Sequence, residues 1–143
     1  MPKDTEKLIH ELKETTSIAD FLSDNEQNFD NALFSKTLAE WMAQRGLNTQ
    51  ALINQTYLSG SYVYDLLGQK KKPSRDTVIK LAFALSLGPD DTNRLLKLAG
   101  WGELYPRVER DAIVLFCLNK GHGLLEADEL LGNLGEVGLV AVG

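Results

Sequence analysis

The chain has 143 residues, of which 43% are hydrophobic and 24% charged, and this composition is that of a folded globular protein and argues against a disordered chain. No apolar run approaches the roughly 20 residues needed to cross a bilayer, and the polar N-terminus lacks the apolar stretch of a signal peptide, so we expect a cytoplasmic protein without membrane contact. Cys117, the single cysteine, is expected to be a small core residue, and neither histidine has a Cys or His partner at a metal-ligand spacing, so we expect no metal and no other cofactor.

Charge is distributed unevenly along the chain. The net charge of −5 divides into −5 for residues 1–32, +4 for residues 33–99 and −4 for residues 100–143. The middle of the chain is therefore basic between two acidic flanks. A locally basic segment indicates a polyanionic partner even where the whole chain is acidic.

Apolar residues recur at helical spacing along most of the chain, and no alternating pattern typical of a strand extends beyond a few residues. Residues 8–12 predict one N-terminal helix, and the polar stretch 23–28 is expected to be a connector. Five helices are predicted between residues 34 and 99, and a further pair at 108–119 and 124–134. The sequence therefore predicts an all-α fold.

Three segments follow from the charge and periodicity. They are an acidic N-terminal helical extension (1–32), a central helical domain (33–100) and a C-terminal helical extension (101–143). Trp41 lies on the apolar stripe of its helix and is expected in the core. Trp101 is expected to pack its loop against the final helix pair.

Two short helices, at 49–55 and near 59–67, are joined by a tight turn at 58–59. The basic loop and Pro-Ser helix start at 68–74 follow them. This order of elements resembles the phage-repressor or Cro-like helix-turn-helix family, also called the XRE family, over residues 34–85. The resemblance implies a five-helix lambda-repressor-like domain whose second short helix, the recognition helix, enters the major groove of double-stranded DNA.

The resemblance also implies which residues contact DNA, and it places Val63 and Leu66 on the buried side of the recognition helix. Thr49 and Gln50 would open the supporting helix beside a phosphate, and Gln69 with the lysines after it would reach the DNA backbone. The expected DNA-contacting set is Thr49, Gln50, Ser59, Gly60, Ser61, Tyr62, Asp65, Gln69, Lys70, Lys71, Lys72 and Arg75.

Three features depart from the family pattern. Tyr57 occupies a turn position where glycine is common, and Ile53 occupies a position in the supporting helix that is usually small. Between Ser59 and Leu67 there is no Arg, Lys, Asn or Gln, the side chains that usually read guanine and adenine. Tyr62, which we expect to face outward, is suited to contact with DNA or with a protein.

We therefore expect a sequence-specific transcriptional regulator of bacterial or phage origin, with a homodimer formed through residues 107–143. The alternative is a protein-protein interaction adaptor that retains the fold and uses Tyr57, Tyr62, Tyr64 and Asp65 against another protein. A third hypothesis is a ligand sensor with a pocket between its central and C-terminal parts. No nucleophile, base and orienting residue form a recognisable catalytic set, so we do not expect an enzyme.

Overall fold

Helices are the only regular secondary structure in residues 3–140, the range that the computed structural model describes. In chain order the α-helices of that range are α1 (Thr5–Glu14), α2 (Ile18–Asp24), α3 (Asp30–Gln44), α4 (Thr49–Thr56), α5 (Gly60–Leu67), α6 (Arg75–Ala84), α7 (Pro89–Leu98), α8 (Glu109–Lys120) and α9 (Leu124–Asn133), with a 3₁₀ helix at Glu26–Asn28. The all-α prediction is confirmed, and so are the five central helices and the C-terminal pair.

Side-chain caps fix the starts of α4, α5 and α6. Oδ1 of Asn48 accepts a hydrogen bond from the amide three residues later at 2.8 Å, and Oγ of Ser59 and of Ser74 do the same at 3.2 Å. Because the first amides of a helix have no partner within it, each cap contributes about 1 kcal/mol. These caps set where each helix begins and therefore which residues share its exposed face.

One apolar core runs from the central helices into the C-terminal pair, with α6 packed against α4, α7 and α9. Its most deeply buried members include Leu38, Leu52, Val63, Leu66, Ile79, Leu81, Leu85, Leu95, Leu96, Val114, Cys117 and Leu131. Cys117 is a core residue, as expected, and burial raises the pKa of its thiol. The helices α8 and α9 therefore cover the central core with much of their apolar surface.

The N-terminal extension has two α-helices and not the single one that its apolar stripe predicts. Oγ of Ser17 caps α2 by accepting a hydrogen bond from the amide three residues later at 3.2 Å. Phe21 in α2 is buried. The stretch 23–28 was expected to be a connector, and it contains the end of α2 and the 3₁₀ helix. The buried Asn25 holds this stretch in place, because its Nδ2 donates to O of Phe21 at 3.0 Å and to Oε2 of Glu11 at 3.2 Å. By contrast, α1 buries none of its residues.

Two tryptophans lie in surroundings that the sequence did not indicate. Trp41 is half-buried at the edge of the core, with the guanidinium groups of Arg45 and Arg94 at 6.0 and 5.8 Å from its ring centroid. Trp101 packs on the basic loop and not against the final helix pair, because its indole Nε1 donates to O of Pro73 at 2.9 Å. An indole can stack on a cation while part of its own surface is buried. Hydrophobic periodicity in the sequence does not show which tryptophans make such cation–π contacts.

Polar contacts hold the chain after α9. Oδ1 of Asp128 accepts hydrogen bonds from the amides of Leu139 and Val140 at 2.7 and 3.0 Å.

The segment 107–143, expected to form a dimer, ends in residues 141–143, which lie outside the described range. The longest helix within the described range, α3, has 15 residues, and no helix there is long and apolar enough to span a bilayer.

Candidate nucleic-acid interface

A residue in the left-handed conformation makes the turn between α4 and α5. Tyr57 has φ 60° and ψ 21°, and its amide donates to O of Ile53 at 3.2 Å. A side chain in this conformation costs about 1–2 kcal/mol, which is why glycine is common at such a turn. The chain makes the same turn with a tyrosine whose side chain is 56% exposed.

The isoleucine in the supporting helix α4 lies beside the first residue of α5. A Cβ atom on Gly60 would lie 3.5 Å from Cδ1 of Ile53, so the two helices are close together here. This is an ordinary van der Waals distance, so Ile53 packs beside Gly60 without strain and would also fit beside an alanine there. The helix-turn-helix geometry therefore survives both departures from the family pattern.

The recognition helix α5 and its N-cap Ser59 have the expected register at four positions. Val63 and Leu66 are 0% and 1% exposed, whereas Ser59 and Ser61 are exposed. Oγ of Ser35 donates to O of Leu66 at 3.0 Å, which ties the last turn of α5 to α3. The core side of the recognition helix is confirmed.

The expectation that Tyr62 faces outward is wrong. Its ring is half-buried against the core, and its hydroxyl lies 3.2 Å from Oγ1 of Thr77 in α6. Thr77 is itself 5% exposed, so the contact lies between the two helices. Tyr62 therefore joins α5 to α6 and presents only part of its side chain to solvent.

The outward face of α5 instead carries Tyr64, which the expected DNA-contacting set did not include. Its side chain is 62% exposed, one turn after Ser61. Residues three and four apart share one side of a helix, so Ser61, Tyr64 and Asp65 form one face. The sequence already indicated this face, because Val63 and Leu66 were expected to be buried and Tyr64 does not lie on their side of the helix.

Amide side chains on α4 supply hydrogen-bonding groups that α5 lacks. Nε2 of Gln50 donates to Oδ1 of Asn54 at 3.0 Å, and Gln55 is also exposed. Thr49 is half-buried in the first turn of α4. Asn54 and Gln55 were absent from the expected set, although Asn54 follows Gln50 by the four residues that bring two side chains together on a helix.

The basic loop, residues 68–74, turns sharply away from the end of α5. Gln69 has φ 62°, and the amide of Lys70 donates to O of Asp65 at 2.8 Å. Nζ of Lys71 lies 3.5 Å from Oδ2 of Asp65. The one acidic side chain of α5 is therefore paired with a lysine, which reduces its repulsion of a nearby phosphate.

The three lysines of the basic loop have different surroundings. Lys70 is exposed and has no ion-pair partner among the described residues. Lys71 is paired with Asp65, as above, and Nζ of Lys72 lies 5.2 Å from the ring centroid of Trp101. Of the three loop lysines, Lys70 is therefore the one whose charge is least engaged by other side chains.

Arg75, which the resemblance placed near DNA, has another partner. Its Nη1 and Nη2 donate to the two carboxylate oxygens of Asp111 at 2.8 Å each, and Nη2 also donates to O of Glu103 at 3.1 Å. Burial disfavours ionised Asp111, but hydrogen bonds from Arg75 and from the amide of Tyr105 outweigh burial and hold its pKa below the usual value. This guanidinium therefore belongs to the contact between α6 and α8.

A second ion pair lies beside the first, with its basic residue on α8 and its acidic residue on α6. Arg110 donates from Nη1 and Nη2 to the carboxylate of Asp76 at 2.7 and 3.0 Å. Arg75 and Asp76 are neighbours on α6, and their partners Asp111 and Arg110 are neighbours on α8. The two pairs therefore form a crossed link that joins the start of α6 to the start of α8.

Cavities bear on the ligand-sensor hypothesis. An open groove of about 490 Å³ lies between the first half of α3, Leu98 of α7 and the basic loop, and none of the residues that line it lies beyond Gly100. The cavity between the central and C-terminal helices, beside Phe83 and Leu118, has about 40 Å³, far less than a drug-sized ligand occupies. Among the described residues, no three or more His, Cys, Asp or Glu side chains are grouped so that they could hold a metal ion.

A comparison with protein families matches this part of the chain. Residues 37–95 fit the family model described as the Cro/C1-type helix-turn-helix DNA-binding domain. The match begins in α3, contains all of α4, α5, the basic loop and α6, and ends in α7. No curated protein and no solved structure matches the chain significantly.

Proposed function

Residues 37–95 are a Cro/C1-type helix-turn-helix DNA-binding domain, and on this premise we propose that the protein is a transcriptional regulator that binds double-stranded DNA with sequence preference. The protein would bind DNA in the cytoplasm of a bacterial cell, as a regulator of bacterial or phage origin. The helix α5 would enter the major groove, where the donor and acceptor pattern distinguishes each base pair.

The observation that carries this proposal is the position of the exposed basic loop directly after the exposed face of α5. Lys70, with Lys71 and Lys72, supplies cations for phosphates. Contacts to phosphates set the orientation of a recognition helix but carry no sequence information themselves. This arrangement gives affinity to a helix that has no cationic side chain of its own.

Sequence preference would come from side chains on both helices of the motif. Ser61 and Tyr64 lie on the exposed face of α5, and Tyr64 is suited to contact with a thymine methyl group. Gln50 and Asn54 on α4 carry amides of the kind that pair with adenine. The first turns of α4 and α5, which include Thr49 and the residues after Ser59, present backbone amides to phosphates.

Two exposed tyrosines favour the second candidate function, a protein-protein interaction adaptor. Tyr57 and Tyr64 are 56% and 62% exposed on the motif, and tyrosine is enriched where proteins bind proteins. The absence of Arg and Lys from α5 points the same way. This function would use the same surface and would exclude DNA from it.

We also propose a homodimer through α8 and α9, because one short helix reads few base pairs and a two-fold partner doubles the contacts. Both helices leave large apolar side chains exposed outside the core, among them Phe116 at 49% and Leu125 at 55%. A second copy of the chain would cover them.

Fluorescence anisotropy with labelled duplex DNA tests the main proposal. A random duplex of about 25 base pairs at about 50 mM salt should bind weakly, with log affinity falling linearly as log salt rises. Selection from a random-sequence library should then enrich one motif, arranged as an inverted repeat if the protein dimerises. Absence of any binding at about 50 mM salt would exclude DNA as the ligand and leave the adaptor function.

A further inference from the structure

Trp101 lies outside the segment that matches the helix-turn-helix family, yet it contacts the basic loop at two places. Its Nε1 donates to the carbonyl oxygen of Pro73 at 2.9 Å. Its ring lies beneath the ammonium group of Lys72, with Nζ 5.2 Å from the ring centroid. One side chain from the C-terminal extension thus holds two consecutive residues of the loop.

The loop is held at its other points by the two helices that flank it. At its start, the amide of Lys70 donates to O of Asp65 in α5. At its end, Ser74 caps α6. Between those points a buried Pro73 offers no amide donor, so its carbonyl is the backbone group through which a neighbour can hold it, and the indole does so.

Gly100 makes this contact possible. It has φ +82°, a conformation that favours glycine, and it directs the chain from α7 back toward the loop. A Cβ atom at this position would lie 2.9 Å from Nζ of Lys72. A side chain here would therefore displace the lysine from the tryptophan ring.

We propose that Trp101 is a positioning residue for DNA binding: it fixes the basic loop so that its lysines are arranged for phosphate contact before DNA arrives. The proposal rests on the proposed DNA-binding function. It extends the DNA-binding apparatus beyond residues 37–95 to the loop after α7. The physical reason is that a loop ordered in advance loses less conformational freedom on binding.

A set of variants tests this role in the full chain by anisotropy with duplex DNA at one salt concentration. Trp101→Leu removes the indole donor and the ring, and it should weaken binding by about three- to tenfold. Trp101→Phe keeps an aromatic face for Lys72 and should weaken binding less. Gly100→Ala keeps the tryptophan but displaces Lys72, and it should resemble Trp101→Leu.

The readout that separates positioning from general destabilisation is a double-mutant cycle with the lysines. In a chain that already carries Lys70→Ala, Lys71→Ala and Lys72→Ala, the change Trp101→Leu should have little further effect on affinity, because no loop charge remains to be positioned. Trp41→Leu is the matched control, since this half-buried tryptophan also stacks on cations but lies away from the loop. It should leave affinity unchanged well below its melting temperature.

Three outcomes would contradict the proposal, and they are distinct. Unchanged affinity for both Trp101→Leu and Gly100→Ala would remove Trp101 from DNA binding. An equal loss in both lysine backgrounds would show that the tryptophan acts only through the stability of the fold. Absence of binding by the parent chain would instead overturn the proposed function itself and the role of Trp101 with it. If Trp101→Leu fails to fold, the comparison of Trp101→Phe and Gly100→Ala in the two backgrounds decides.

Discussion

The hydroxyl of Tyr62 lies 3.2 Å from Oγ1 of Thr77, and Oγ of Ser74 lies 3.0 Å from the same atom. Three hydroxyl groups therefore join the recognition helix to the first turn of α6, at the point where the basic loop ends. The recognition helix and the loop are held in one arrangement by this cluster.

Tyr62 is expected to contribute to stability. Tyr62→Phe removes one hydrogen bond and should lower the free energy of unfolding by about 1 kcal/mol. Tyr62→Ala also removes a half-buried ring and should cost about 2–3 kcal/mol, somewhat less than a fully buried aromatic. Tyr64→Ala, on the exposed face, should change it by no more than about 0.5 kcal/mol. Urea unfolding followed by circular dichroism measures all three, and a larger loss for Tyr64→Ala than for Tyr62→Ala would show that the register of α5 is wrong.

The lysines of the basic loop are expected to contribute unequally to DNA binding. Sequence reasoning alone predicts that changing Lys70, Lys71 and Lys72 to alanine flattens the slope of log affinity against log salt by up to about 3 units. Because Lys71 faces Asp65 and Lys72 stacks on Trp101, we expect about 2 units for the triple variant.

Single variants measure the order of the three lysines. Lys70→Ala should flatten the slope by about 0.9 and the other two should do so by less, with every DNA sequence affected alike. Lys120→Ala, on α8, is the matched control and should leave the slope unchanged. An unaltered slope for the triple variant would remove the loop from the interface.

The Arg75–Asp111 pair should make a larger contribution to stability than its neighbour. The Asp111 side chain is 7% exposed whereas that of Asp76 is 41% exposed. Arg75→Met leaves a buried carboxylate without its partner and should cost about 3 kcal/mol near neutral pH. Arg110→Met leaves Asp76 partly solvated and should cost about 1 kcal/mol. Equal losses in chemical unfolding would contradict this order.

Acid should remove the advantage of the Arg75–Asp111 pair. The pKa of Asp111 is lowered in the folded protein, so its contribution is present above the unfolded value of about 4 and is lost as the pH falls through the folded value. In Arg75→Met, burial favours the protonated carboxyl. The stability difference between parent and variant should therefore begin to shrink above about pH 4, as the variant's carboxyl takes up a proton, and should go on shrinking as the pH falls through the lowered pKa of Asp111 in the parent. A difference that stays constant with pH would mean that packing, and not charge, holds α8 on α6.

The proposed homodimer gives a prediction for exposed side chains of the C-terminal helices. We expect the parent chain to sediment as a dimer at high micromolar concentration, and the double variant Phe116→Ser with Leu125→Ser to sediment as a monomer without loss of helix content. Ile18→Ser is the matched control, because Ile18 is 60% exposed on α2. A monomeric parent, with and without DNA, would rule the dimer out.

Tyr57 allows a substitution that should stabilise the fold. Tyr57→Gly relieves the left-handed conformation of a bulky residue but increases the freedom of the unfolded chain, so we expect a net gain of about 0.5–1 kcal/mol. Thermal unfolding measures it, with Tyr57→Ala as the comparison that keeps a Cβ atom. A loss of stability for the glycine variant would show that the exposed ring makes contacts that outweigh the backbone strain.

Local patterns predicted the parts of the fold that depend on neighbours in the chain. The buried side of α5 follows from the spacing of Val63 and Leu66, and the start of α6 follows from Ser74 as a cap. The missed features depend on residues distant in sequence. Thr77 captures the hydroxyl of Tyr62 from 15 positions away, and neither helix alone carries a signal for that hydrogen bond.

Contacts between residues distant in sequence also explain which features of the candidate site could not be predicted. The loop lysines were identified as a group from composition, but their different surroundings come from Asp65 and from Trp101. Trp101 reaches Pro73 across 28 positions and Asp111 reaches Arg75 across 36. Tertiary contacts of this kind decide which charges remain free for a ligand, and only the folded chain brings their members together.

The helix α1 buries no residue, and this has an electrostatic consequence for the chain as a whole. Burial of apolar surface is the main source of local stability, so α1 should open far more often than the core helices and should be the first site of protease cleavage. Residues 1–32 carry the entire net charge of −5, and residues 33–143 hold twelve basic and twelve acidic side chains. Cleavage within α1 would remove a net charge of only −1, whereas loss of all of residues 1–32 would leave a neutral chain that still carries the basic loop and no longer repels nucleic acid at long range.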